Sequence, residues 1–86
     1  MSSTAMRIKN NSDVLKVSAK INIGITYGST EIEKGQWGSI DCEPVWYTLN
    51  CYDANNVLMY GKAGCKGNSS FELTGEEGDY IISEVK

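Results

Sequence analysis

From Leu15 to Tyr27 every second residue is apolar: Leu15, Val17, Ala19, Ile21, Ile23, Ile25 and Tyr27 alternate with Lys16, Ser18, Lys20, Asn22, Gly24 and Thr26. A period of two places successive side chains on opposite faces of a pleated strand, whereas an amphipathic helix repeats every three or four residues. No part of the chain sustains the helical period for three turns. The segment is also long: thirteen residues at ~3.3 Å each reach about 43 Å. A compact body built from 86 residues is only roughly 30 Å across. The spacing therefore predicts a strand that bends at Gly24 and passes from one sheet to another.

The rest of the chain reads as short strands separated by turn residues. Residues 5–9 form a first strand closed by Asn10-Asn11-Ser12-Asp13, and Gly28-Ser29 precedes a brief strand at 30–33. Lys34-Gly35 turns into Trp37 to Cys42, and Glu43-Pro44 interrupts the ladder. Val45 to Tyr52 is rich in aromatic and β-branched residues, and Asp53-Ala54-Asn55-Asn56 turns it into Val57 to Tyr60. A glycine-punctuated loop with Gly61, Gly64 and Gly67 carries Cys65. Residues 71–74 and 79–85 make a last hairpin around Gly75-Glu76-Glu77-Gly78. The expected fold is all-β, a single domain over 1–86 built as a small antiparallel β-sandwich or barrel of about seven to nine short strands.

Pairing across the 53–56 loop sorts the central hairpin into two faces. With Tyr52 opposite Val57 and Leu49 opposite Tyr60, one face holds Val45, Tyr47, Leu49, Cys51, Leu58 and Tyr60, and is assigned to the core. The other holds Trp46, Thr48, Asn50, Tyr52, Val57 and Met59. Two readings of that second face compete. A thin core recruits every large side chain it has, and a loop or second sheet would then cover Trp46 and Tyr52. Otherwise the face is an exposed aromatic-polar patch, the kind of surface that marks a contact with a partner or ligand. In the last hairpin Phe71 with Ile82 and Leu73 with Tyr80 line the core side.

Chemistry is excluded more easily than binding. The chain has no histidine, which removes the commonest general base, the Ser-His and Cys-His pairs and most zinc sites. Three cysteines without a Cys-x-x-Cys pair cannot close a four-cysteine site, and no phosphate-binding glycine motif occurs. A non-enzymatic chain without metal or cofactor is expected. The acidic turn Glu76-Glu77-Gly78-Asp79 and the loop of Asp53, Asn55 and Asn56 are rich in oxygen ligands, but neither has calcium-loop spacing. Cys65, between Lys62 and Lys66 in its glycine loop, is the best candidate for a reactive thiol. Three reduced thiols are expected, with one disulfide plus a free thiol as the alternative.

A formal charge of −3 without a basic stripe argues against nucleic acid and against a polybasic membrane attachment. The first six residues lack the apolar segment of a signal peptide, so a cytoplasmic location is expected unless a leader has been removed. For the same reason the sequons at Asn10 and Asn68 carry no glycosylation expectation.

The opening Arg7-Ile8-Lys9-Asn10-Asn11-Ser12, followed by a long alternating strand, resembles the start of small β-sandwich cytolysins of the aegerolysin type. The resemblance covers the opening only, and those proteins are longer. It implies a membrane-binding subunit whose aromatics sit at the headgroup level, against which the acidity speaks.

Binding remains. The leading expectation is a protein-interaction or assembly domain, self-association included, that uses the face with Trp46, Asn50, Tyr52 and Met59. Acidic charge would steer it toward basic partners. The alternative is a carbohydrate-binding, lectin-like module. Trp46 or Trp37 would stack on a sugar ring while Asn50, Asp53, Asn55 and Asn56 bond its hydroxyls.

Overall fold

A computed structural model describes residues 4–86, and its described residues form eight β-strands and no helix. In chain order these are β1 (Thr4–Ser12), β2 (Lys16–Asn22), β3 (Thr26–Glu33), β4 (Trp37–Cys42), β5 (Trp46–Tyr52), β6 (Leu58–Lys66), β7 (Ser70–Glu76) and β8 (Asp79–Val85). They form two four-stranded sheets, ordered β4-β1-β7-β8 and β3-β2-β5-β6. The small all-β sandwich expected from the alternation is the fold. Its neighbouring strands run antiparallel except β1 and β7, which lie parallel with Ile8 opposite Phe71.

The period of two is visible strand by strand. Met6, Ile8, Asn10 and Ser12 of β1 point inward, while Arg7 and Asn11 are exposed and Lys9 is half-buried. Val17, Ala19 and Ile21 of β2 face Tyr47, Leu49 and Cys51 of β5 within one core, which Phe71, Leu73 and Ile82 close from the other sheet. Each large aliphatic or aromatic side chain buried this way contributes about 1.5–3 kcal/mol before the entropy of ordering the chain is subtracted.

Along one long edge β3 lies against β4 across the two sheets, and β6 lies against β8 along the other. The first approach needs two glycines. A Cβ at Gly28 would stand 2.8 Å from Ile40 Cγ2, and one at Gly38 would stand 2.4 Å from Ile32 Cγ1. Each strand thus offers an isoleucine to the other's missing side chain.

Asn10 ties the sheets together from inside. Its amide nitrogen donates to the carbonyls of Val14 (3.0 Å) and Ile32 (3.1 Å). Its oxygen accepts from the Ser12 N–H (3.1 Å) and hydroxyl (2.6 Å). The sequence reading, which placed Asn10 in a turn after strand one, is corrected: β1 continues to Ser12. A polar side chain at an inward position looks like a turn signal until its partners are known.

Further expectations are corrected. Residues 15–27 are not one strand that changes sheet. The chain reverses at Ile23-Gly24-Ile25, where the Ile23 N–H donates to the Ile25 carbonyl (2.9 Å) and Gly24 has φ +83°, and β3 pairs back along β2 in the same sheet. Alternation ran through the turn because the turn itself is apolar, and Ile23 and Ile25 stand exposed. Gly28-Ser29 accordingly lies within β3 instead of preceding it.

The glycine-rich 61–67 segment is not a loop. β6 runs through it to Lys66, with its register shifted opposite Thr48 where Gly64 takes φ +72°. Cys65 is therefore a buried core residue on a strand, not a reactive loop thiol, and burial pushes its pKa up.

The central hairpin pairs Tyr52 with Leu58 and Cys51 with Tyr60. Met59 is the extra residue at that bulge, and it packs against the core. Leu58 and Val45, expected inside, are exposed. The last hairpin pairs Leu73 with Ile82 and Phe71 with Glu84, a two-residue slip from the expected register that keeps the same residues facing inward. All three cysteines are free and buried.

Candidate functional site

The outer face of the β3-β2-β5-β6 sheet is set by registry. Ser18 lies opposite Tyr52 and Lys20 opposite Asn50, while Asn22 lies opposite Thr48; Trp46 continues the row beside Lys66 of β6. Trp46 is 64% exposed although it sits on a strand and not on a loop. The Lys66 ammonium lies 5.8 Å from its ring centre. Tyr52 is half-buried beneath Lys20, whose ammonium is 5.0 Å from that ring. Exposed cation–aromatic pairs of this kind are worth about 0.5–1 kcal/mol. That orients the rings but does not explain keeping a tryptophan in water.

Asn50 lies between these pairs, over Gly61. A Cβ at position 61 would stand 2.5 Å from Asn50 Oδ1, so the glycine makes room for the amide. The result is a surface of two aromatic rings, two ammonium groups and an amide, presented by paired strands. It can stack on a planar or apolar group and bond an acceptor.

The sequence-derived site residues do not all meet. Trp46, Asn50 and Tyr52 share the face. Met59 does not, because the bulge turns it to the core. Trp37 is on β4 of the other sheet, 42% exposed, with Arg7 5.2 Å and Lys9 6.0 Å from its ring. The two tryptophans therefore cannot grip one ligand.

Asp53, Asn55 and Asn56 sit at the far end of β5 from Trp46, roughly 23 Å along seven residues. Asp53 Oδ1 accepts the N–H groups of Asn55 (2.9 Å) and Val57 (3.0 Å), so this carboxylate organises its own turn. Asn56 supplies the turn's left-handed residue at φ +63°. Beside this turn is an open cleft of about 320 Å³ whose walls include Lys16, Ser18, Glu31, Asp53 and Asn56. Lys16 and Glu31 form an exposed ion pair there at 3.8 Å.

Lys20 and Lys66 were missed by sequence reasoning. Pairing β2 with β5 would have placed Lys20 beside Tyr52, but no local pattern announces that non-sequential pairing.

These features define a class: an eight-stranded β-sandwich carrying an aromatic-cationic sheet face. No protein-family model matches the chain, and no curated protein matches it. Among solved structures it is similar to the C-terminal domain of AlgF from P. aeruginosa. That likeness covers 100% of this chain and 99% of that one, at 18% sequence identity and a TM-score of 0.63. It speaks for the fold alone.

Proposed function

We propose that this chain is a non-enzymatic protein-interaction domain whose contact surface is the Trp46–Asn50–Tyr52 face, with Lys20 and Lys66 as its polar anchors. The observation that carries the reading is the exposure of Trp46 on a regular, paired strand. A large aromatic held rigidly in water loses little conformational entropy when a partner covers it, which is why such residues dominate contact energetics.

The domain and its Trp46→Ala variant, immobilised at equal density, test this. The variant should melt within a few degrees of the parent, because the ring buries little in the fold. It should also lose proteins the parent retains. Equal retention by both sinks the reading. So does unfolding by more than ~3 kcal/mol, the cost of truncating a core aromatic.

Carbohydrate is the second reading, favoured by the exposed ring of Trp46 on a sheet face that also carries polar side chains, and no longer by the 53–56 loop. A multivalent display of the domain on a glycan array, blank at every spot, removes it.

A further inference from the structure

Two open sheets have four edge strands, and an unpaired edge is a template for a further strand. Here β3 and β4 lie against each other. β6 is interrupted by two register shifts and carries Lys62 and Lys66. β8 differs from all three. It pairs with β7 over seven residues without a shift, and between Asp79 and Val85 it holds neither lysine nor proline. β6 passes beside it in the other layer, yet among the described residues no backbone hydrogen bond reaches β8 from any strand but β7.

The hairpin decides which backbone groups stay free. Glu77 and Gly78 form a two-residue turn at φ +50° and +87°, so the flanking Glu76 and Asp79 exchange both hydrogen bonds. Alternation then turns the N–H and C=O of Ile81, Ser83 and Val85 toward β7, and those of Tyr80, Ile82 and Glu84 outward. The Gly75 carbonyl accepts from the Asp13 N–H (3.2 Å) on the side away from β8, as the same parity requires. On the outer face of this edge Ile81 and Val85 are 50% and 40% exposed, with Ser83 between them.

We infer that β8 pairs antiparallel with β8 of a second copy, about a two-fold axis at Ser83. In that register the free groups of Ile82 and Glu84 bond those of the partner's Glu84 and Ile82. Ile81 lies opposite the partner's Val85, and Val85 opposite the partner's Ile81, in pairs whose side chains approach closely. The neighbouring register, centred on Ile82, would use the same backbone groups but set Ile81 against Ser83 and Asp79 against Val85. The charges brought into the contact, Glu84 and Lys86, cancel within each copy. The acidic turns at Asp79 end roughly 26 Å apart along the strands, beyond the screening length of ~8 Å at physiological salt.

The axis runs perpendicular to the sheets, so both Trp46 faces look the same way and one partner can meet two of them. The contact itself is on the other sheet, so this inference and the interaction reading can fail separately.

Sedimentation velocity tests it from about 10 μM to about 1 mM, since a single strand edge per copy is a small interface of the weak class. The parent should sediment faster as concentration rises. Glu84→Pro removes an N–H that points to solvent in the monomer, where an edge strand tolerates proline. It should melt near the parent and weaken dimerisation roughly tenfold or more, the worth of two lost hydrogen bonds per dimer. Ile81→Lys, at an exposed position, should do the same and serves if the proline variant fails to fold. Ser83→Cys tests the register, because the two thiols would face each other with Cα atoms about 4.5 Å apart, within disulfide reach. Mild oxidation should link it far faster than Ser39→Cys, which is exposed on the same sheet. A parent that stays monomeric throughout overturns the inference. So does a folded Ile81→Lys protein that associates as the parent does, or equal cross-linking of the two cysteine variants. Association lost in Trp46→Ala overturns it too, because the self-contact would then run through the other sheet.

Discussion

A buried asparagine persists in a core only when its amide protons and its oxygen all find partners, because each orphaned group keeps its desolvation cost. Asn10 meets that condition through Val14, Ile32 and Ser12. Removing its side chain orphans two carbonyls and the Ser12 N–H and hydroxyl in a place water reaches poorly. Asn10→Ala should therefore cost about 2–3 kcal/mol in urea unfolding. Asn11→Ala, one residue along and exposed, should cost less than about 0.5 kcal/mol. Equal effects at the two positions would show that the Asn10 network does not hold the sheets together. The contrast between neighbours is the informative quantity, since both belong to the same strand and the same Asn-Asn pair in the sequence.

At the scale of elements, the β3–β4 edge gives the sharpest packing test. Gly38→Ala drives a Cβ into the Ile32 side chain, with Ile32 Cδ1 at 2.9 Å and Thr30 Cγ2 at 3.0 Å also close. Overpacking of this kind costs about 1–3 kcal/mol. Gly35→Ala meets nothing within 4 Å and is strained only by its φ of +82°. A melting temperature lowered by Gly38→Ala, with the β3–β4 amides exchanging faster, is expected; unchanged exchange at that edge would refute the close approach.

The same edge shows what hydropathy could and could not reveal. β2, β4, β5 and the last hairpin were legible because inward and outward residues differ in polarity at most steps, with exposed Trp46 beside buried Tyr47 and exposed Ile81 beside buried Ile82 as exceptions. The Ile23-Gly24-Ile25 reversal was not, since its apolar residues kept the rhythm while the backbone turned. β6 was read as a loop because its glycines suggested flexibility, although Gly61 accommodates Asn50 and Gly64 lies at a register shift. Of the site, Trp46, Asn50 and Tyr52 were legible from one strand's alternation. Lys20 and Lys66 depended on which strands pair and in what register, and register is a property of the assembled sheet.

Across the whole molecule, titration links these local environments to stability. Burial pushes the Cys51 thiol up to about 12, and raises the Cys42, Cys65 and Tyr47 values as well. Tyr80 is raised chiefly by donating its hydroxyl to Asp13 Oδ1 at 2.7 Å. An acid whose folded pKa lies above its unfolded one keeps its proton longer in the native state. Its contribution is full below the unfolded value, about 8.5 for a thiol, and drains away as pH climbs toward the folded value. Asp13 behaves oppositely. The Tyr80 hydroxyl, then the Glu77 N–H, holds its carboxyl below the ordinary range. Its contribution is present above the unfolded value of about 3.9 and disappears as pH falls through the lower folded one. The urea midpoint should thus form a plateau through neutrality, decline below about pH 4, and fall more heavily above about pH 9 as several buried groups act together. Cys51→Ala should start from a lower plateau, because it leaves a cavity, yet lose midpoint less steeply between about pH 9 and 11. A parent midpoint constant over that alkaline range, or a Cys51→Ala slope equal to the parent's, would show that the buried thiols do not govern the alkaline limb.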